Sequence, residues 1–328
     1  MQVNTLGKAL RIATAVAVFG ITASHAFAGA PMARTPAPGY YRFMLGNFEV
    51  TALSDGTVDL PVEQLLQEPA AKTVAALDKA FLKTPLQVSD NAYLINTGKR
   101  LVLVDAGAGD LFGPTLGKLM ANLKASGYTP EQVDDIFLTH MHPDHVGGLS
   151  ANRVIQFPNA VVHAERHEAA YWLSQKNLDG APDASRGFFQ GAMASVNPYV
   201  RAGKFNPFDG SVELVPGVSS YPSFGHTVGH TSYLIESQGQ KLLLMGDLIH
   251  VPAVQLGHPD VTIAFDTDPA GAAASRTRVF DQAARDRTLV AGAHMPFPGI
   301  GHLRATGKTY QWVPVNFTRM RAGQAKPH

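Results

Sequence analysis

Two periods of apolar residues run through the chain, and the places where one gives way to the other outline its elements. Short apolar runs rich in β-branched and aromatic residues predict strands at 100–105, 133–139, 220–224, 231–236, 241–245 and 288–291. Ser237-Gln238-Gly239-Gln240 turns the chain between the fourth and fifth of these. Helical spacing joins Val74, Leu77 and Phe81, and again Leu116, Leu119, Met120 and Leu123, with Pro114 near the start of that second helix and Gly127 at its end. Thr129-Pro130-Glu131-Gln132 has the cap, the proline and the glutamine of a short helix start. The stretch 177–210, rich in Gly, Pro and aromatic residues, predicts a long excursion placed to cover a site.

The predicted strands end on residues that do chemistry. Thr139-His140-Met141-His142-Pro143-Asp144-His145 leaves the strand at 133–139 and sets His140, His142, Asp144 and His145 within six residues. Imidazole nitrogen and carboxylate oxygen are ligands that zinc and similar divalent ions accept, and each such group costs stability if buried without a partner. A surface histidine cluster is the alternative, which this combination of residues disfavours. Gly225-His226-Thr227-Val228-Gly229-His230 then separates two strands, Gly246-Asp247 ends a third, and Gly292-Ala293-His294 ends a fourth. One loop cannot complete two coordination shells, so these later loops are expected to supply the rest.

HxHxDH, GHTxGH, a strand ending in GD and a late strand ending in His, in that order, resemble the metallo-β-lactamase superfamily. The resemblance implies the α/β class, as an αββα four-layer sandwich with two metal ions at one edge. It puts His140, His142 and His226 on one ion, Asp144, His145 and His294 on the other, and Asp247 between them. Asp105 and His230 are then supports that touch the ligands and not the ions. Leu111-Phe112-Gly113-Pro114-Thr115-Leu116-Gly117, Tyr171-Trp172-Leu173-Ser174-Gln175, Gly187-Phe188-Phe189, Gly191-Ala192-Met193-Ala194-Ser195 and Pro298-Gly299-Ile300-Gly301-His302 are similar to the methyl parathion hydrolase family and related lactonases. That likeness implies a homodimer and an aromatic substrate pocket at Phe112, Trp172 and Phe188. The chain departs from that family at His250, where an apolar residue is usual, at the bulkier Ile263 and Phe265, and before Gly187, where it is one residue shorter.

Composition sets the frame. A chain of 328 residues with 45% hydrophobic and 16% charged positions suits one large domain, placed at 40–320. Residues 1–28 stand apart: Lys8 and Arg11 lead into the apolar run 12–21, and Ala26-Phe27-Ala28 offers a cleavage site. This reads as a secretory signal, with an uncleaved anchor as the alternative; a flexible leader at 29–39 follows, and 321–328 is a tail. The expected location is periplasmic or secreted, with no membrane partner once the signal is removed. Loss of Lys8 and Arg11 shifts the formal charge from +1 to −1, because 1–28 holds no acidic residue. A near-neutral mature chain has no footprint for nucleic acid. With no cysteine present, every metal ligand must be nitrogen or oxygen. Zinc is the expected metal, with manganese, iron or cobalt as alternatives.

Other signals lead nowhere. Gly107-Ala108-Gly109 follows a strand as a dinucleotide loop would, but Phe112 stands where the third glycine belongs. His163 and His167 have zincin spacing, yet Ala164 replaces the glutamate, and both read as surface or capping histidines; His302 reads as structural. No GxSxG elbow or P-loop occurs. The expectation is therefore a binuclear metal hydrolase acting on small molecules. Its ions lower the pKa of water from about 15.7 to about 7 and supply a bridging hydroxide. Asp144 orients this nucleophile or relays its proton, and Asp247 holds both ions. With only His250 as a further acid, an aryl leaving group that stacks on Phe112, Trp172 and Phe188 fits best. A flat lactone or ester carbonyl enters a slot narrowed by His250, Ile263 and Phe265 more readily than tetrahedral phosphorus. Aryl lactone or aryl ester hydrolysis is thus expected, with weaker phosphotriester hydrolysis. The alternatives are phosphotriesterase as the main activity, a glyoxalase II-like thioesterase, for which no basic cluster is visible, and a non-catalytic metal-binding protein of the envelope.

Overall fold

A computed structural model describes residues 30–317 and Met320. The predicted signal and tail, and Gly29 of the leader, lie outside those residues. Positions 30–39 contain no helix or strand. Contacts divide the chain between Pro36 and Ala37, and all regular structure described here belongs to the second unit.

The first half of that unit begins with strands β1 (Tyr40–Leu45) and β2 (Phe48–Leu60), then helices α1 (Val62–Leu65) and α2 (Ala70–Lys79). Strands β3 (Leu86–Asn96) and β4 (Leu101–Val104), helix α3 (Leu119–Ala125), strand β5 (Asp135–Phe137) and helix α4 (Pro143–Val146) come next. A hairpin, β6 (Ser150–Ala151) and β7 (Val154–Ile155), precedes β8 (Val161–His163) and helices α5 (Arg166–Trp172), α6 (Gln175–Gly180) and α7 (Asp183–Arg201). The second half runs β9 (Glu213–Val215), β10 (Val218–Pro222), β11 (Thr231–Ser237), β12 (Gln240–Leu244), α8 (Pro252–Gln255), α9 (Pro269–Asp286), β13 (Leu289–Ala291), β14 (Ile300–Thr306) and β15 (Thr309–Pro314). No described helix is long and apolar enough to cross a membrane.

The larger strands form two sheets, ordered β1-β2-β3-β4-β5-β8 and β15-β14-β13-β12-β11-β10-β9. Pairing is antiparallel except for β4 with β5, β5 with β8, and β12 with β13. Period-two alternation assigns each strand residue to a layer. Leu94, Leu103 and Ile136 face outward to α3, α5 and α7, whereas Ile95, Val102, Val104 and Phe137 face inward. There they meet Tyr233, Ile235, Leu242, Leu244 and Ala291 of the second sheet. Leu243 and Val290 point the other way, onto Val279, Phe280 and Ala283 of α9. The result is helix, sheet, sheet, helix: the αββα sandwich.

Three expectations from the sequence change. Leu77 is buried in α2, but Val74 is half exposed and Phe81 lies beyond the helix with φ 59° and 98% exposure. Thr73, not Val74, shares the inward face, so the apparent stripe is a coincidence of spacing. The helix expected from Leu116 opens only at Leu119; Leu116 is buried in the loop before it. The excursion at 177–210 is mostly helical, because a buried apolar stripe packs its longest helix against the core despite a proline inside it. Pro182 immediately precedes α7 and Pro198 falls in its last turn, while Phe189, Ala192, Val196 and Tyr199 form a buried stripe.

Candidate metal centre

Loops from both sheets converge at one edge. Past β5 the chain reaches His140, and His142 takes extended backbone before α4, whose first residue, Pro143, has the ring-fixed φ that a helix start needs. Asp144 and His145 therefore leave from α4. His226 lies between β10 and β11, Asp247 follows β12, and His294 follows β13. The Gly107-Ala108-Gly109 loop after β4 serves close approach to the backbone at Gly147 and Gly148. Gly148 N–H bonds the Gly107 carbonyl at 3.0 Å, and a Cβ on Gly147 or Gly148 would strike the carbonyl oxygens of Ala108 or Ala106.

Two groups of candidate ligands result, and His226, Asp247 and His250 form a third that overlaps both. His140, His142 and His226 bring ligand atoms within 4.8 Å of one another, and Asp144, His145, Asp247 and His294 do likewise. Asp247 joins them: its Oδ2 lies 3.4 Å from His226 Nε2, 3.6 Å from His140 Nε2 and 3.0 Å from His294 Nε2. Its Oδ1 lies 3.2 Å from His145 Nε2. His142 turns Nδ1 inward, 3.1 Å from His226 Nε2. His140 Nε2, His145 Nε2 and Asp247 Oδ1 are buried with no hydrogen-bond partner, a state that buried polar atoms ordinarily avoid. Three imidazoles on one side, two with a carboxylate on the other and a shared aspartate fit two divalent cations.

The electrostatics point the same way. Burial pushes His140 and His142 well below the ordinary imidazole value, leaving neutral rings with free lone pairs. Burial also works against charge on His294, but the Asp247 and Asp144 carboxylates overcome it and raise that ring to about 9. His145 is raised too, against burial, by Asp247, Asp144 and Asp105. Burial opposes ionisation of Asp247 and Asp144 as well, yet the surrounding imidazoles hold both carboxyls well below their usual range. Cations bound here would displace the protons of His145 and His294.

A second ring of groups orients the ligands. Asp105, at φ 61°, accepts the Thr139 N–H and hydroxyl, each at 2.8 Å, and lies 2.9 Å from His145 Nδ1. That bond places the His145 proton on Nδ1 and frees Nε2 for the centre. Asp266 does the same for His226 at 2.8 Å, and the Ser89 carbonyl for His294 at 2.9 Å. His230 Nε2 accepts the Asp247 N–H at 3.0 Å, so this ring fixes the aspartate's backbone.

An apolar-walled cavity opens over the ligands. Val58, Leu60, Phe112, Leu116, Phe188 and Phe265 wall it, with His142, Asp144, Asp247, His250 and His294 beneath. Of the pocket residues expected from sequence, Phe112, Phe188, His250 and Phe265 reach it, and two do not. Trp172 stands behind His142, ring centroids 5.2 Å apart. Ile263 is buried among Val62, Leu66 and Val251. His250 Nε2 lies 3.1 Å from Asp247 Oδ2, and burial, against the pull of that carboxylate, lowers its pKa to about 4. Burial thus favours the neutral form of this ring. His163 is half-buried on Asp135, at 3.1 Å, while His167 and His302 are exposed.

Sequence reasoning missed Asp266, Val58, Leu60 and Leu116. Val58 and Leu60 share one face of β2, a period-two signal that was there to read. Asp266 carries no such signal, because its partner His226 is 40 positions away.

Known proteins resemble this chain. A curated N-acyl homoserine lactonase of Bacillus cereus is 27% identical over 172 residues, 47% of this chain and 60% of that protein. The match thus spans less than two thirds of that relative's length. Among solved structures, the hydrolase AbOPH of the β-lactamase superfamily is 36% identical, covering 87% of this chain and all of that one, with a TM-score of 0.83. AidC, a dizinc quorum-quenching lactonase, is 27% identical over 86% of this chain and 99% of its own, with a TM-score of 0.79. The metallo-β-lactamase superfamily model matches residues 87–294. Since that span runs from β3 to the last ligand and holds both converging groups, the chain belongs to the metallo-β-lactamase superfamily.

Proposed function

We propose that this superfamily hydrolase opens lactones and cleaves aryl esters, and hydrolyses phosphotriesters more slowly. What carries the reading is the shape of the cavity above the ligands. Phe188 and Phe265 meet edge to face with centroids 6.1 Å apart, and His250 lies 6.3 Å from Phe265, so a continuous aromatic wall stands over the ligands on which a planar acyl or aryl group can stack. Phe188 also lies 4.8 Å from His142, which brings the wall down to the ligands. Lactonase relatives support the choice of acyl over phosphoryl substrates.

His140, His142, His226 and Asp247 would hold one divalent ion, and Asp144, His145, His294 and Asp247 the other. Such a pair polarises a carbonyl oxygen and makes water a stronger acid. The chain's own groups do the rest. Asp144 keeps 23% of its side chain exposed, more than any other ligand, and so meets the attacking water. Its carboxylate orients that water, accepts its proton and returns it to the departing oxygen. Phe112, Phe188 and Phe265 exclude solvent and hold the ring or acyl face flat.

The test is turnover by purified, metal-replete protein against dihydrocoumarin-type lactones, p-nitrophenyl esters and methyl parathion. The expected kcat/KM for the lactone exceeds that for methyl parathion by about tenfold or more, the scale of one pocket contact. The reverse order would establish a phosphotriesterase instead. No turnover of any of the three would sink the hydrolase reading.

A further inference from the structure

Outside the ligand set, one buried carboxylate joins the two loops that carry His140, His142 and His226. Glu168 lies in α5 and is fully shielded from solvent. Its Oε1 accepts the Met141 N–H at 2.8 Å, and its Oε2 accepts the Gly229 N–H at 2.8 Å. Met141 separates His140 from His142, and Gly229 stands between His226 and His230. One loop leaves the first sheet and the other connects strands of the second, so the carboxylate acts as a bracket between them. A Cβ on Gly229 would come within 2.6 Å of Glu168 N and 2.7 Å of Glu168 Cβ. Glycine is what lets the second loop lie this close to α5.

A carboxylate is costly in such a place, and a core residue would fill the space at less expense. What it offers is two acceptor oxygens on one rigid plane, aimed at two donors. Glutamine would give one acceptor and set its NH₂ against the other N–H. The second ligand group shares the Met141 loop through Asp144 and His145 but has further holds of its own. Its His145 is held by Asp105, and its His294 by the Ser89 carbonyl.

We propose that Glu168 is a positioning residue which sets the spacing of His226 from His140 and His142, and so governs retention of the ion those imidazoles hold. This rests on the reading of the site as binuclear. Glu168 is not a ligand, so its removal leaves every donor atom in the chain. The consequence is selective: one ion is weakened and its neighbour is spared.

The experiment takes wild-type and Glu168→Gln holoprotein through graded chelator, reading ions per chain and the histidine ring resonances by NMR. At a chelator level where the wild type keeps two ions, the variant is expected to keep one. Its His142 and His226 rings shift to their metal-free positions while His145 and His294 do not. The apparent affinity of the affected ion falls roughly 10–100-fold, as for other groups that orient ligands. Wild-type-like retention in the variant, or loss of both ions together, overturns the proposal; a merely structural role predicts the second. A wild type that never holds two ions overturns the binuclear reading instead. Amide exchange on wild-type protein gives a decision even if the variant does not fold. With Glu168 as the bracket, the Met141 and Gly229 amides stay protected after metal removal, and rapid exchange at both defeats it.

Discussion

His250 shows how much one side chain can decide. Its ring lies against Asp247, stacks on His294 at 5.0 Å, and faces Phe265 across the cavity. Replacing it by leucine removes a polar ring from the slot and leaves an apolar wall beside the ligands. His250→Leu is expected to raise the phosphotriester to lactone kcat/KM ratio by about tenfold or more, within the 10–200-fold that one pocket contact commands. An unchanged or lowered ratio would show that this ring does not choose the substrate. The seven positions that cluster at the sheet edge were legible because histidine and aspartate just past a strand have few other uses. Glu168 and Asp266 were not, since a carboxylate that braces a distant loop is indistinguishable from a surface acid until the chain folds. Trp172 and Ile263 misled for a related reason: the sequence shows bulk but not which side of His142 or Phe265 the bulk occupies.

At the scale of elements, β5 is only three residues long yet carries the loop with four of the ligands. Asp135 anchors it, bonding Arg100 Nε at 2.8 Å and His163 Nε2 at 3.1 Å. Burial works against its charge, but His163 and Arg100 prevail and the carboxyl sits below its ordinary value of 3.8. Because the folded pKa is depressed, Asp135 contributes stability above about pH 4 and loses it as the pH falls through the folded value. Asp135→Asn should destabilise the protein at pH 7 by about 1–3 kcal/mol in urea unfolding. The gap from wild type should narrow in acid; a gap constant down to pH 2 would mean the charge is irrelevant. The strands were visible in the sequence through their apolar runs. The helices were less so: α7 hides a buried stripe among glycines and prolines, and α2 shows a stripe at the wrong angle. Propensity misjudged both because packing against the sheet, not local preference, selects the inward face.

Across the whole molecule, the centre draws on both sheets, so metal content and stability should move together. Chelator is expected to abolish turnover of lactone, ester and phosphotriester alike, and added zinc or manganese to restore it. Melting should fall at the same time: an ion at a hundredfold excess over its Kd is worth about 2.7 kcal/mol to the folded state, or several degrees in a chain of this size. Full activity in stripped protein would remove the basis for the mechanism. The sandwich itself was legible only through the order of four motifs, since alternation assigns a face to each strand and says nothing of which sheet it joins. The last member of the set, His294, follows β13, which runs parallel to β12, the strand that leads to Asp247. Asp247 and His294 therefore meet only after β12 and β13 have paired, so a chain that has not closed its second sheet cannot present the full set of donors to a metal.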